Sequence, residues 1–266
     1  MRRTYIIRRA PRRVAPTGAN KTSTGIKVLD NKTFDGFNPA LLGLGNINVQ
    51  AKEVEAVAAI FDLTAFTKFS NQVDPQLTVP QFLSSFLSWL FDSVKTGLMK
   101  NNYTDHKELW ADLPFLTKFL GDGVLFLWDT KGLAESRICD IVSVLHDICY
   151  GYRSQFYPWI NKEIANPPNV LRCGIGRGKV FSVGNGRDYI GHSINIASRL
   201  QKLSLLTFCF PRRGFDVKAH MRGRLKDKVI QLRVNFRGFL ETDLIWVLKD
   251  EFDSLPDKER VYFKPS

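Results

Sequence analysis

Residues 53–70 read EVEAVAAIFDLTAFTKFS, and the nearly continuous apolar run at their start ends at Asp62. Such a run is typical of a strand in the middle of a sheet, because a strand covered on both faces carries few polar residues. We therefore predict a strand that delivers the Asp62 carboxylate to one end of the sheet. Residues 118–128, KFLGDGVLFLW, hold Asp122 in a similar setting. We interpret residues 114–129 as a β-hairpin with Asp122 at its tip.

We expect the carboxylates of Asp62 and Asp122 to lie beside each other, where they would form a site for divalent cations. Residues 190–200, IGHSINIASRL, read as a helix that carries Asn195 and Arg199 on one face, because the two residues are four positions apart. Carboxylate ligands together with an amide and a guanidinium indicate phosphoryl-transfer chemistry on a nucleotide. Each motif alone is a weak signal, whereas their joint order and spacing are far more specific.

The remaining segments predict an α+β fold with an antiparallel or mixed sheet, one face of which is covered by helices. Residues 79–98 are predicted to form a helix that begins near Pro80 and turns an aromatic and aliphatic stripe towards the core. A second long helix is predicted over residues 134–156. The glycine-rich residues 170–186 are interpreted as a pair of strands, and residues 218–228 as a basic loop or short helix.

Composition and charge indicate how the chain is divided into an arm and a domain. The chain has 266 residues and a formal net charge of +12, much of it in an arginine-rich N-terminal stretch. We predict that residues 1–50 form a basic arm and lead-in, and that residues 51–266 form one domain. The arm is either solvated surface or a contact for a polyanion such as nucleic acid, and the sequence leaves both possibilities open.

The spacing of the cysteines and the hydropathy of the chain bear on metal or disulfide sites and on membrane spans. The four cysteines form no CxxC pair, so neither a zinc site nor a disulfide framework is indicated. The longest apolar stretches fall short of the roughly 20 residues that cross a bilayer. The N-terminus lacks an apolar segment followed by a cleavage site. We therefore expect a cytoplasmic protein with no membrane span.

In their order along the chain, these motifs resemble the catalytic domain of the class III nucleotidyl cyclases, over most of residues 54–250. FDLTAFTKFS and KFLGDG are similar to the two metal motifs of that family, CGIGRGKVFSVGN to its glycine-rich strand pair, and IGHSINIASRL to its IGxxVNxAxR signature. The resemblance implies the class III cyclase (ferredoxin-like or palm) fold, with a mainly antiparallel central sheet. It also implies a lyase that works as a head-to-tail homodimer with composite active sites.

The resemblance also assigns roles to single residues. Asp62, Asp122 and the Leu63 carbonyl match ligands of two divalent cations, Mg²⁺ or Mn²⁺. Asn195 matches a residue that orients the ribose, and Arg199 one that stabilises charge on the α-phosphate.

Four further residues are assigned to substrate binding. Lys118 and Asp188 match the positions that recognise the base, and Arg237, in VNFRGF, matches a basic residue that holds the terminal phosphates. The Lys118 and Asp188 pair suits adenine, cytosine or uracil. Tyr189 stands where a smaller aliphatic residue is usual, and it either disfavours a purine by its bulk or packs into the dimer interface.

The length of the chain, residues 72–83 (QVDPQLTVPQFL) and the shortened loop of residues 184–188 resemble the stand-alone pyrimidine cyclases of bacterial Pycsar anti-phage defence. This resemblance implies conversion of UTP or CTP to a 3′,5′-cyclic mononucleotide and pyrophosphate, and a uridylate cyclase is favoured slightly. The alternatives are an adenylate cyclase, or, in another class, an inactive cyclase-like module for dimerisation or nucleic-acid binding.

Overall fold

The computed structural model describes residues 20–21, 27–28, 30–234, 243–261 and 263–265. Arg237 and most of the basic N-terminal stretch lie outside these residues. The chain divides into two compact units, Met1–Gly45 and Asn46–Ser266.

The smaller unit contains strands β1 (Asn20–Lys21) and β2 (Lys27–Val28), which pair antiparallel, helix α1 (Asn31–Asp35) and a 3₁₀ turn, Pro39–Leu42. Helix α1 begins at Asp30, whose carboxylate accepts a 2.8 Å hydrogen bond from the Thr33 amide. This contact satisfies one of the free amides at the start of the helix.

The larger unit is built on a nine-stranded sheet with a small separate hairpin. Its strands are β3 (Glu53–Leu63), β4 (Met99–Asn102), β5 (Lys107–Leu109), β6 (Leu116–Phe119), β7 (Gly123–Asp129), β8 (Leu171–Val183), β9 (Asp188–Gly191), β10 (Phe208–Pro211), β11 (Val229–Val234), β12 (Leu244–Leu248) and β13 (Phe263–Pro265).

The helices of this unit are α2 (Phe66–Phe69), α3 (Pro75–Leu98), α4 (Glu135–Gly151), α5 (Tyr157–Glu163), α6 (His192–Leu200), α7 (Val217–His220), α8 (Arg224–Lys228), α9 (Lys249–Asp253) and α10 (Asp257–Arg260). A π-helical turn, Tyr152–Phe156, joins α4 to α5. None of the described helices combines the length and the apolar character that crossing a bilayer requires.

The sheet order is β13-β11-β12-β10-β8-β3-β7-β6, with β9 paired to β8. The central four strands follow one another in the chain as β3, β6, β7 and β8, with α3 and α4 as the two crossovers. This is the ferredoxin-like arrangement that the resemblance implies. Strand β10 pairs parallel with β8, and the other described pairings in the sheet are antiparallel.

Helices cover both faces of the sheet, which corrects the expectation of a single covered face. Val57, Ala59 and Phe61 of β3 pack with α3 and α4 in the main core. Ala58 and Ile60, which point the other way, belong to a second cluster with residues of α6. The alternation of side chains along a strand therefore places α6 opposite α3 and α4.

Glycines in β8 allow α6 to approach the sheet closely. A Cβ atom at Gly174 would overlap the carbonyl oxygen of Ala197, and one at Gly176 would overlap that of Ser193. Residues 170–186 were predicted to be a strand pair, but the whole span Leu171–Val183 is one strand. Gly174 and Gly176 within this strand serve the contact with the helix.

One other prediction needs correction. Helix α3 begins at Pro75 rather than near Pro80, and Pro80 lies inside it. Residues 218–228 were predicted to be a loop or short helix, and they belong mostly to two short helices, α7 and α8. The aromatic and aliphatic stripe of α3 is buried as predicted, at Phe82, Phe86, Leu90 and Val94.

The four cysteines, Cys139, Cys149, Cys173 and Cys209, are free and buried. Burial raises the pKa of the Cys139 thiol to about 11. This thiol is therefore protonated and a poor nucleophile at neutral pH.

We expect Gly174→Ala to lower the free energy of unfolding by about 1–3 kcal/mol, because α6 must move away from β8 to admit the methyl group. Chemical denaturation monitored by circular dichroism measures the change. Gly151→Ala is the matched control, since its Cβ would meet only the Trp89 ring at 3.7 Å. Helix propensity predicts that this control is neutral or slightly stabilising. Equal losses in both variants would contradict the role of Gly174.

Candidate active site

The two aspartates meet at one end of the central strands. Asp62 lies opposite Gly123 in the β3–β7 register, and the amide of Leu63 donates a 2.9 Å hydrogen bond to the carbonyl oxygen of Asp122. Strands β6 and β7 form the predicted hairpin, with Asp122 in its turn. The backbone pairing therefore brings Asp62 and Asp122 side by side, as the sequence predicts.

The carboxylate of Asp62 is in an unfavourable environment. The side chain is half-buried, and burial together with the negative charge of Asp122 raises its pKa above the ordinary value. The positive charges of Lys202 and Arg172 oppose this shift without cancelling it. A group that binds both carboxylates through positive charge would relieve the repulsion.

Arg172 and Lys202 were missed by the sequence analysis. Arg172 lies directly opposite Asp62 in the β3–β8 register, and its Nη1 donates a 3.2 Å hydrogen bond to the carbonyl oxygen of Ser204. Its Nε is buried and has no hydrogen-bond partner among the described residues. Only the pairing of β3 with β8 places Arg172 here, and that register is not readable from the local sequence.

The oxygen atoms at this end of the sheet fit a Mg²⁺ or Mn²⁺ ion. The donors are the carboxylates of Asp62 and Asp122 and the carbonyl of Leu63, and hard oxygen ligands suit these metals. The hydroxyl of Thr64 is buried beside them without a partner among the described residues. In the described part of the chain no three His, Cys, Asp or Glu side chains cluster to hold a metal. Mg²⁺ commonly takes one or two carboxylates and completes its shell with water and substrate phosphates.

The backbone turns sharply just after Leu63. Ala65 has φ 64° and ψ 20°, a left-handed conformation that costs a residue with a Cβ about 1–2 kcal/mol. The turn starts α2 directly after the carboxylate site. Strain of this kind is characteristic of functional segments.

Lys118 and Asp188 form an ion pair on the face of the sheet that carries α6. The other Asp188 oxygen accepts a 2.8 Å hydrogen bond from the Tyr189 amide. The Tyr189 ring packs edge-on against Phe115, with 5.2 Å between ring centroids. The fold thus brings together Lys118, Asp188 and Tyr189, the described residues that the sequence assigned to base recognition.

Asn195 and Arg199 project from α6 away from its buried side. Asn195 is exposed and Arg199 half-buried. No hydrogen bond or ion pair joins either side chain to another described residue, including Asp62 and Asp122. Within this chain, the two halves of the predicted catalytic set are therefore not in contact.

Both hairpins carry exposed apolar side chains. Phe119 and Leu120, beside the tip of the β6–β7 hairpin, are 50% and 43% exposed. Phe181 and Ile190, opposite each other on the β8–β9 hairpin, are 39% and 62% exposed.

The ferredoxin-like sheet, its extension through β10 and the position of α6 define the fold of the class III adenylyl and guanylyl cyclase catalytic domains. The predicted fold class is confirmed. No protein-family model and no curated protein matches the sequence.

Solved structures with this fold include the guanylyl cyclase Cya2, with 15% identity and a TM-score of 0.54 over 75% of this chain and 94% of that one. The adenylyl cyclase CyaB from P. aeruginosa has 16% identity and a TM-score of 0.55, over 75% and 96% of the two chains. The catalytic core of a rhodopsin-guanylyl cyclase with converted specificity, in complex with ATPαS, has 19% identity and a TM-score of 0.52, over 75% and 98%.

We expect Asp62→Asn to stabilise the fold at neutral pH in the presence of a chelator. Because the pKa of Asp62 is raised in the folded state, its ionisation opposes folding, and the free energy of unfolding falls as pH rises through that pKa. At pH 7 the wild-type chain therefore bears the full loss of folding free energy caused by the ionised Asp62. The neutral asparagine side chain of the variant removes this loss. Thermal denaturation between pH 4 and 7 measures it, and the gap between variant and wild type is expected to widen with pH.

Asp112→Asn, on an exposed aspartate, is the matched control and is expected to have little effect on stability. Addition of Mn²⁺ is expected to stabilise the wild type more than Asp62→Asn. A variant less stable than the wild type in chelator would show that the carboxylates do not repel each other.

Proposed function

We propose that the chain is a nucleotidyl cyclase that converts UTP or CTP to a 3′,5′-cyclic mononucleotide and pyrophosphate. The observation that carries the proposal is the convergence of Asp62 and Asp122 at the sheet end of a class III cyclase fold. In this reaction the ribose 3′-oxygen attacks the α-phosphorus and pyrophosphate leaves. No covalent intermediate with the protein is needed, so positioning and charge stabilisation suffice.

In the proposed reaction, some site residues bind the metal ions and others stabilise charge or orient the substrate. Asp62, Asp122 and the Leu63 carbonyl hold two divalent cations, which when bound would lower the pKa of the 3′-hydroxyl and neutralise the leaving pyrophosphate. Arg199 donates hydrogen bonds to the α-phosphate as charge develops there, since a planar guanidinium can make two in parallel. Asn195 orients the ribose. Arg237 holds the terminal phosphates.

The active form is a head-to-tail homodimer with two composite sites. Two observations support it: Asn195 and Arg199 lack partners among the described residues of their own chain, and they do not contact the aspartates. In the dimer, each site combines the carboxylates of one protomer with the amide and guanidinium of the other. A monomer would hold only half of each site.

Base selection rests on Lys118, Asp188 and Tyr189. The ion pair offers one donor and one acceptor, which suit the edges of uracil, cytosine and adenine alike. The Tyr189 ring lies beside this pair and is held there by Phe115. Its bulk narrows the space for a base and favours a pyrimidine, and UTP is preferred slightly over CTP. The same ion pair supports an adenylate cyclase as the second candidate.

The product would act as a second messenger in anti-phage defence. Support for this role comes from the resemblance of residues 72–83 and of the short loop between β8 and β9 to the stand-alone pyrimidine cyclases. In the structure that loop contains only Gly184–Arg187, between paired Val183 and Asp188.

Incubation of the purified chain with each of the four ribonucleoside triphosphates and Mn²⁺, followed by chromatography and mass spectrometry of the products, tests the function. Cyclic UMP or cyclic CMP is the expected product. Cyclic AMP alone would favour the adenylate cyclase, and the lack of any cyclic product would refute the enzyme.

Mixing two inactive variants tests the composite site. We expect Arg199→Ala to lower turnover by about 10²- to 10³-fold, as is typical when one donor to transition-state charge is removed. Asp62→Asn is also expected to be inactive. After subunit exchange, the mixture is expected to recover about a quarter of wild-type activity, because half of the dimers are mixed and each has one intact site.

Two controls distinguish a shared site from a site within one protomer. Mixing Asp62→Asn with Asp122→Asn is expected to restore nothing, because both changes affect the same half of the site. Lack of recovery with Arg199→Ala, despite confirmed exchange of labelled subunits, would mean that each site belongs to one protomer.

Tyr189→Val tests base selection by size. Removing the ring is expected to raise kcat/KM for ATP relative to UTP by about tenfold or more, a usual effect of enlarging an apolar pocket. Competition between the two substrates in one reaction measures the ratio directly. Tyr150→Val, on an exposed tyrosine of α4, is the control. An unchanged ratio in Tyr189→Val would assign the ring to packing alone.

A further inference from the structure

A cavity of about 540 Å³ opens on the face of the sheet opposite α6, beside the first residue of α4. Its walls come from three strands, through Arg177, Gln231 and Trp246, and from the segment of residues 212–220. Phe215 and Trp246, which line it, also belong to the core packed beneath α3 and α4. The cavity is therefore open to solvent on one side and bounded by core side chains on the other.

A network around Arg177 fixes one wall of the cavity. Its guanidinium donates two hydrogen bonds to the Glu135 carboxylate, at 2.6 and 2.9 Å, and one of 2.8 Å to the carbonyl oxygen of Gly214. These bonds lower the pKa of Glu135 and keep its carboxyl ionised. The Glu135 charge is thus already balanced by Arg177 and is not free to neutralise the other cations.

Two further cations of the cavity have no such balance. Arg212 and Lys218 line it, are exposed, and make no side-chain hydrogen bond or ion pair with any described residue. The nearby carboxylate of Asp216 accepts a 3.0 Å hydrogen bond from the Ala219 amide at the start of α7. Arg212 and Lys218 together outweigh the single negative charge of Asp216, so the walls carry a net positive charge.

The inner wall of the cavity is apolar. Trp246 lines it and is only 7% exposed, and Phe215 beside it is buried. These two aromatic side chains therefore give the cavity an apolar surface next to its charged groups.

We propose that this cavity is a binding site for a small phosphorylated molecule, held by Arg212 and Lys218. A phosphate group offers several acceptor oxygens and negative charge to a set of groups that can only donate. Small-molecule sites usually have volumes of ~300–1,000 Å³, so the cavity has room for an organic body beside the phosphate. The apolar surfaces of Phe215 and Trp246 would contact that body.

The site is separate from the carboxylate pair and does not depend on the proposed reaction. Arg177 follows Arg172 by five positions along β8, roughly 16 Å at the usual rise of a strand. Val57, the partner of Arg177 in β3, faces the core beneath α3 and α4, whereas Asp62 faces the side of α6. A ligand here would leave the proposed substrate site free.

Nuclear magnetic resonance of the full chain with ¹⁵N-labelled tryptophan tests the proposal. The chain has five tryptophans, and Trp246→Phe identifies the indole signal of Trp246. We expect pyrophosphate or adenosine monophosphate, titrated with a chelator present, to shift that signal in a saturable way. The chelator suppresses metal-dependent binding at the carboxylate pair.

The double variant Arg212→Ala/Lys218→Ala is expected to weaken binding by at least about tenfold, through the loss of two charged donors. Arg222→Ala/Arg224→Ala removes the same charge from exposed positions outside the cavity wall and is expected to bind like the wild type. The proposal is overturned if neither phosphorylated probe moves the Trp246 signal, or if both double variants bind equally. An equal response to citrate would overturn the assignment to phosphate.

Discussion

The pairing of β3 with both of its neighbours is the constraint on which the rest of the structure depends. β3 pairs along its whole length with β8 and over seven residues with β7, and one register sets both ladders. A shift by one residue would turn Asp62 into the core and Phe61 out of it. The burial of Val57, Ala59 and Phe61 beneath α3 and α4 opposes such a shift. Hydrophobic packing on one face of β3 therefore fixes the position of the Asp62 carboxylate on the opposite face.

The position of Asp62 and Asp122 could be predicted because each depends on local signals. An apolar run ending in an aspartate and a glycine-flanked aspartate between two apolar runs both place a carboxylate at a strand end. Arg172 could not be predicted, because its approach to Asp62 depends on pairing between distant segments. The single long strand β8 was predicted as a strand pair for a related reason, since the helix that requires its glycines comes later in the chain.

The charges of the described site are unevenly distributed. Asp62 and Asp122 lie close enough to repel, and Arg172 and Lys202 compensate in part. Arg199, which projects from α6, forms no ion pair with any carboxylate of the described residues. The repulsion costs stability, and in the proposed dimer a bound metal and a phosphate group would balance these charges.

The backbone contact between α6 and β8 limits how the protein could be switched on or off. With Gly174 and Gly176 directly beneath the helix, no layer of side chains separates them, so α6 cannot slide or tilt without overlapping the strand. Arg199 is therefore fixed to its own sheet. In the proposed dimer, a rotation of one whole subunit against the other would therefore carry the guanidinium towards or away from its target as part of a rigid body.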